Sequence, residues 1–299
     1  MTCSVIGRYI ALMGLLLLAM GTASAQTGPT LARIQQDHTI LIGHREHEEP
    51  FSYVVEGRPI GYSIDICQAV VDSISARLGG PALAVTFVPV TPANRFILLS
   101  KGDIDLECGV TTNTAERRRQ AAFSYPHYFS TTRYVSLAKN ALDRIEDLTG
   151  RSVVSTTGTL NIEQLNAMNR EQSLNISVML SRSHDEAFTM VAAEQASAFV
   201  MDDILLAGLV ASDASPERFH ISSEALSDPE PYGLMLRRDD PEFLAWVNEA
   251  LRALYQSGDM LALYEKWFLS PIPPDQQVVG LPMSPQLEAV LAHPEAFAE

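Results

Sequence analysis

The sequence predicts an α/β protein of two lobes with a ligand cleft between them, joined by two crossing strands. Short apolar strands alternate with amphipathic helices in two successive blocks, a pattern typical of largely parallel sheets. Extended segments at 134–138 and 232–236 flank the second block, and we expect them to cross between the lobes. The predicted lobe 1 is 26–132 plus 232–299, and lobe 2 is 133–231.

The first 25 residues predict a cleavable signal peptide. Arg8 supplies a positive charge, residues 10–20 are apolar, and Ala23-Ser24-Ala25 has the small-residue pattern of a cleavage site. The apolar run is shorter than the ~20 residues that a membrane-spanning helix needs. We therefore expect a soluble mature chain that is exported.

The elements of the first block can be placed individually. Residues 26–38 are polar and predict irregular structure. Thr91 and Pro92 have the residue types of an N-cap and first helical position, which puts Arg95 in the first turn of a helix. A further helix is expected to be capped by Asn113 or Thr114. The predicted strands are 39–43, 83–90 and 104–108, and the predicted helices are 64–78, 92 onward and 114 onward.

The second block repeats the alternation. Ser183 and Glu186 have the spacing of a capping box, which places His184 at the first helical position. The predicted strands are 153–156, 177–180 and 198–201, and helices are expected from 160, from 184 and from 204. After the return crossing, helices are predicted at 242–256, at 261–267 and from 284.

Net charge and cysteine content limit the possible functions. The chain has 21 Lys and Arg against 36 Asp and Glu, a formal charge of −15, which argues against nucleic acid and anionic membranes as partners. Cys67 and Cys108 remain after signal removal, and either one disulfide or two buried thiols fits them. No spacing predicts a metal or cofactor site, because strand alternation would send His44 and His47 in opposite directions.

Residues 107–117 predict an anion site. A strand runs through a polar turn into a predicted helix with Arg117 in its first turn, so backbone N–H groups, hydroxyls and a guanidinium converge. We expect this segment to bind the α-carboxylate of an amino acid. In α/β sheets ligands bind beyond the carboxyl ends of strands, and six polar residues lie at or just after predicted strand ends: Arg45, Arg95, Thr112, Thr159, His184 and Asp202.

Several motifs occur together and in order: His44-Arg45-Glu46, Glu107-Cys108-Gly109, Thr111-Thr112-Asn113, the run 201–208, and Lys266-Trp267-Phe268. On these motifs the chain resembles the periplasmic solute-binding proteins of polar amino-acid ABC transporters, the type II periplasmic binding proteins, in their glutamate/aspartate-binding branch. The resemblance covers roughly residues 38–280. It implies a monomeric receptor without a cofactor that binds an acidic amino acid and is recognised by a membrane permease.

The resemblance also implies roles for the candidate residues. Thr112 and Arg117 match positions that hold the ligand α-carboxylate, and Asp202 matches the partner of its ammonium group, with Asp203 capping the next helix. The positions that surround the acidic side chain are matched by Arg45, Arg95 and His184, and Thr159 matches a contact at a helix start.

Three residues depart from the family pattern. Pro92, Val110 and Leu160 stand where hydroxyl residues are expected, although Val110 can still offer its backbone carbonyl to the ligand ammonium. The departure leaves open glutamate, aspartate or their amides as ligand. Two other functions also stay open: an exported dehydratase or lyase on the same fold, which would need a free acid or base in the cleft, and a ligand-sensing subunit of a membrane receptor.

Overall fold

The computed structural model describes residues 28–297, and the predicted signal peptide lies outside them. The strands are β1 (Thr39–His44), β2 (His47–Glu48), β3 (Ser52–Val55), β4 (Arg58–Ile60), β5 (Ala84–Pro89), β6 (Leu106–Glu107), β7 (Ala121–Ser130), β8 (Thr132–Leu137), β9 (Ser152–Thr156), β10 (Ser177–Ser181), β11 (Ala198–Asp202), β12 (Phe219–Ile221) and β13 (Glu230–Arg237). The helices are α1 (Pro29–Asp37), α2 (Tyr62–Leu78), α3 (Arg95–Lys101), α4 (Leu160–Glu171), α5 (His184–Ala192), α6 (Asp203–Ser212), α7 (Pro241–Ser257), α8 (Asp259–Tyr264) and α9 (Pro285–Ala292).

Two five-stranded sheets organise the molecule. The first has the order β5-β1-β6-β13-β7, in which β1 is parallel to β5 and β6 while β13 is antiparallel to its neighbours. The second has the order β10-β9-β11-β8-β12, in which β9 is parallel to β10 and β11. The chain passes from the first sheet to the second at Thr131, between β7 and β8, and returns in β13. The predicted α/β class is confirmed.

The helices form where apolar residues recur on one face. Helix α2 buries Ile66, Val70 and Ile74 against the first sheet's core and ends at Gly79, as predicted. Helix α7 begins with the side chain of Asp240 accepting a hydrogen bond from the backbone N–H of Phe243. These packed helices fix the first sheet, so the loops at its carboxyl edge are held by a rigid support.

Four local predictions were wrong. Residues 29–37 form helix α1, because Leu31 and Ile34 reach the core despite the polar composition around them. Helix α3 begins at Arg95, since residues 91–94 form a turn closed by hydrogen bonds between Thr91 and Asn94.

The helix predicted from Thr114 is only a short 3₁₀ turn, Arg117–Arg119. At α5 the capping box is half formed: Ser183 accepts from the N–H of Glu186, whereas the Glu186 carboxylate bonds the N–H of Arg182.

A disulfide joins Cys67 on α2 to Cys108 just after β6, with their Cα atoms 6.3 Å apart. The sequence left open whether these two cysteines form a disulfide or stay as buried thiols, and the structure shows the disulfide. The bond closes a loop across a sequence separation of 41, for which the chain-entropy argument gives about 4 kcal/mol of stabilisation. It ties the segment after β6 to α2.

Between residues 28 and 297 none of the helices has the length and apolar character needed to cross a bilayer.

Candidate ligand-binding site

A small cavity lies between the carboxyl ends of the parallel strands of the two sheets. The first sheet contributes the segments after β1, β5 and β6, and the second contributes those after β9 and β10 and the end of β11. All eight residues predicted from the sequence line this cavity: Arg45, Arg95, Val110, Thr112, Arg117, Thr159, His184 and Asp202. The strand-end argument therefore predicted residues that lie together in the structure, and their role in binding stays a prediction.

Arg117 and Thr112 form one end of the cavity. The Nη1 atom of Arg117 donates a hydrogen bond to the Thr112 backbone carbonyl at 3.0 Å, which fixes the guanidinium beside the cavity. Burial lowers the pKa of Arg117, while nearby carboxylates, first among them Asp202, act in the opposite direction. The short 3₁₀ turn here offers few free N–H groups, so an anion would depend mainly on the guanidinium.

Asp202 faces the cavity from the end of β11. Its carboxylate accepts a hydrogen bond from Asn161 Nδ2 at 2.7 Å and another from the Tyr232 hydroxyl. Burial is the main cause of a raised pKa for Asp202, and these two hydrogen bonds oppose it. Neither partner is cationic, so the carboxylate can still accept a positively charged group.

Asp203, the next residue, was predicted to cap the following helix. Its carboxylate accepts from the N–H of Ile204 at 2.8 Å, at the start of α6, and from the hydroxyls of Ser130 and Thr131, both at 2.6 Å. Ser130 and Thr131 lie where the chain crosses between the sheets. Asp203 thus supports the crossing segment, and Asp202 alone of the two points to the cavity.

Arg95 is 3% exposed and opens α3. Its Nη2 atom is 3.4 Å from the carbonyl oxygen of Gly158, across the cavity, while its Nε atom is buried without a hydrogen-bond partner. Burial, together with Arg117 and Arg45, lowers its pKa to about 9, so the guanidinium stays charged at neutral pH. The ring of Phe96 lies 5.2 Å from the Arg95 guanidinium carbon and 5.9 Å from that of Arg117.

Arg45 and His184 share one carboxylate that the sequence did not single out. Glu48 Oε1 pairs with Arg45 and lies 3.1 Å from His184 Nε2, and all three side chains are buried. The other ring nitrogen, His184 Nδ1, is 2.9 Å from the Thr156 hydroxyl. Although burial opposes ionisation, Arg45 and His184 prevail and lower the pKa of Glu48.

A second buried acid stands behind Arg45. Glu107 is fully buried, accepts from the Thr111 hydroxyl at 2.9 Å and lies 3.9 Å from Arg45. Burial raises its pKa, with Arg45 opposing. A Cβ atom on Gly109 would lie 2.3 Å from Glu107 Oε1, so a larger residue there would have to displace the Glu107 carboxylate.

The two walls of the cavity also touch at Gly158. This residue has φ of +84°, and a Cβ atom there would lie 2.6 Å from the Pro92 carbonyl oxygen and 2.8 Å from Ala93 Cα. Glycine is therefore required for its backbone conformation and for the approach of the opposite wall.

The sequence reasoning missed Glu48 and Asn161. Glu48 appeared only within the cluster weighed as a metal site, because the hairpin that turns it inward has no clear signal in the sequence. Among residues 28–297, no group of three or more His, Cys, Asp or Glu side chains could hold a metal ion. The three departures, Pro92, Val110 and Leu160, all line the cavity and give it an apolar wall with Met201 and Leu205.

Comparisons with known proteins agree with this architecture. An L-glutamate/L-aspartate-binding protein of Pseudomonas aeruginosa is 37% identical over 286 residues, which cover 95% of this chain and 94% of the relative. The glutamate/aspartate import solute-binding protein of Escherichia coli is 36% identical over 273 residues, 91% of this chain and 90% of that one. A solved ancestral arginine-binding protein bound to arginine superposes with a TM-score of 0.70 at 26% identity, covering 77% of this chain and 98% of its own.

Two sheets joined by crossing strands, with a cavity between their carboxyl edges, define a two-lobed binding protein of the type II periplasmic class, as predicted. The chain belongs to the bacterial extracellular solute-binding proteins, family 3, which residues 40–270 match. The family resemblance is confirmed, and so is the prediction of a substrate-binding receptor rather than an enzyme.

Proposed function

We propose that the protein is the periplasmic receptor of an amino-acid ABC importer and binds glutamate or aspartate in the cavity between its lobes. The observation that carries this proposal is the cavity lining: three buried guanidiniums and two carboxylates, Asp202 and Glu48, converge on a small space, and Glu48 already pairs with Arg45. An α-amino acid with an acidic side chain presents the matching set of two carboxylates and one ammonium group. The glutamate/aspartate-binding relatives support the same ligand class.

The proposed pose places the ligand backbone between Arg117 and Asp202. Arg117 and the Thr112 hydroxyl take the α-carboxylate, because a planar fork of N–H donors suits a carboxylate. Asp202 and the Val110 carbonyl take the ammonium group. Each charged hydrogen bond of this kind contributes about 1.5–3 kcal/mol.

The ligand side chain then extends toward Arg95, with Arg45 and His184 beyond it and Thr159 at the start of α4. Several cationic donors favour a carboxylate here, because a buried charge without a partner is strongly unfavourable. Arg95 is the donor with the most unused capacity, since Arg45 and His184 already bind Glu48.

The proposed lobes are lobe 1 (26–132 plus 232–299) and lobe 2 (133–231). A ligand that contacts both walls stabilises the closed arrangement of these lobes, so ligand binding shifts the population toward the closed form. We propose that the membrane permease recognises this closed form. The receptor acts as a monomer after residues 1–25 are cleaved, and it needs neither a cofactor nor a metal.

A thermal-shift screen of the mature protein against the amino acids tests the proposal. Glutamate or aspartate at about 100 times its dissociation constant should stabilise the protein by roughly 2.7 kcal/mol. Arginine and leucine serve as controls, because the arginine side chain is positively charged like the cavity lining and the leucine side chain is apolar. Stabilisation by the controls and not by any acidic or amide amino acid would contradict the proposed ligand class. Turnover of the ligand would contradict the receptor function.

A further inference from the structure

Glu48 gives the side-chain end of the cavity a carboxylate of its own. It lies on β2, is 3% exposed, and its Oε1 atom takes the nearest donors of both Arg45 and His184. The contact joins the two walls, because Arg45 and Glu48 belong to the first lobe and His184 to the second. Two of the three groups predicted to surround an acidic side chain are therefore already occupied.

Two polar atoms beside this ion pair are left without partners. Glu48 Oε2 is a buried acceptor and Arg95 Nε is a buried donor, neither has a hydrogen bond, and both residues line the cavity. Unpaired polar atoms at such depth are rare and unfavourable, so they mark places where a ligand group fits. A carboxylate can accept from Arg95 but only repels Glu48, whereas a carboxamide offers both an acceptor and a donor.

The charge of the lining also depends on Glu48. Arg45, Arg95 and Arg117 together carry +3, and Asp202 brings the sum to +2, which would strongly favour a ligand of net charge −1. Glu48 reduces the sum of these charges to +1, which still complements an acidic ligand but lowers its advantage over a ligand with an uncharged side chain. Another acid, the buried Glu107, lies behind Arg45, 3.9 Å from its guanidinium.

We propose that Glu48 is a specificity-determining residue that admits side-chain carboxamides, so that the receptor binds glutamine or asparagine beside the corresponding acid. This inference rests on the proposed function, since it concerns the side chain of the same bound amino acid. Glu48 does not touch the α-amino or α-carboxylate positions in the proposed pose. It sets the ratio of acid to amide affinity.

Titration calorimetry of glutamate against glutamine and of aspartate against asparagine tests this inference. We expect the wild-type protein to bind the better-fitting amide within about tenfold of its acid. Glu48→Gln should raise the acid-to-amide affinity ratio by at least about tenfold, because a unit charge within ~10 Å contributes more than that at an effective dielectric constant near 20. Glu46→Gln is the matched control: it makes the same change two residues away at an exposed site, and should leave the ratio unchanged.

The outcomes separate the two proposals. If no acidic or amide amino acid binds the wild-type protein, the proposed function itself is wrong. The carboxamide inference is wrong if the acids bind and both amides bind more than about 1000-fold more weakly. Such a difference corresponds to about 4 kcal/mol of binding free energy, which is more than an amide that fits the cavity would lose relative to its acid. An unchanged ratio in folded Glu48→Gln, or loss of all binding by it, would also overturn the inference.

Discussion

The two ends of the cavity differ in how their charges are balanced. At the end proposed for the ligand backbone, Arg117 and Asp202 make hydrogen bonds only to neutral groups, and within residues 28–297 neither has an ion-pair partner. At the other end, Arg45, His184 and Glu48 already neutralise one another. The first end therefore requires charges from a ligand, whereas the second can accept a weaker partner. We therefore propose that the first end provides most of the affinity and that the second end provides the selectivity.

Arg117→Ala should have the largest effect. It removes the fork proposed for the α-carboxylate and leaves Asp202 without a nearby cation, so every amino acid should bind at least about 100-fold more weakly. Calorimetry with glutamate and glutamine measures this. Arg119→Ala removes an exposed arginine two residues away and is the control. If Arg117→Ala and the wild-type protein bound amino acids with equal affinity, Arg117 would not be the residue that binds the α-carboxylate.

Asp202→Asn should follow, with a loss of about 10- to 100-fold that is similar for acids and amides, because every α-amino acid carries the ammonium group. The pKa of Asp202 is raised by burial, so the unliganded carboxylate becomes protonated at a higher pH than an exposed aspartate. Wild-type affinity should therefore fall as the pH is lowered toward that pKa. Asp202→Asn should lack this part of the pH dependence. If the affinities of the variant and the wild-type protein changed with pH in the same way, Asp202 would not be the partner of the ligand ammonium group.

Arg95→Ala should distinguish the two ends directly. An acidic ligand loses a charged partner and should bind about 10- to 100-fold more weakly, while an amide should lose about tenfold less than the acid. The measurement is the pair of dissociation constants for glutamate and glutamine, with Lys101→Ala at the exposed end of the same helix as control. Equal losses for both ligands would mean that Arg95 does not contact the side chain. Arg45→Ala is a less direct test, since it also removes the arginine partner of Glu48.

Gly158→Ala should have the smallest effect on affinity and the same one for all ligands. The added methyl group meets the Pro92 carbonyl only when the walls are together, and such crowding costs about 1 kcal/mol, or roughly fivefold in affinity. Gly150→Ala is the matched control, because Gly150 also has a positive φ, +71°, but has nothing near its Cβ position. Both variants should lose stability, yet only Gly158→Ala should lose affinity. If Gly158→Ala bound its ligands as tightly as Gly150→Ala, the contact between Gly158 and Pro92 would not limit closure of the lobes.

The sequence allowed the fold class and the cavity lining to be predicted for a simple reason. Parallel strands end at the same edge, so polar residues after several strands, such as Arg45, His184 and Asp202, must converge. Local patterns were less reliable. Helix α1 was missed because Leu31 and Ile34 are too few to outweigh a polar segment, and the 3₁₀ turn at Arg117 begins like a helix.

Glu48 could not be predicted because its position depends on tertiary structure. The β2–β3 hairpin places this carboxylate beside Arg45 and beside a histidine 136 residues away. A run of His, Glu and Glu in the sequence gives no sign of which side chain will be buried. The selective end of the cavity was for this reason the part least accessible from the sequence.

The central claim is that the cavity binds an amino acid through its backbone charges. The most direct measurement is calorimetric titration of the mature protein with L-glutamate and with glutarate, which has both carboxylates but no ammonium group. We expect that glutamate binds and that glutarate binds at least about tenfold more weakly, because Asp202 would then be buried without its partner. Equal binding of the two, or binding of neither, would contradict it.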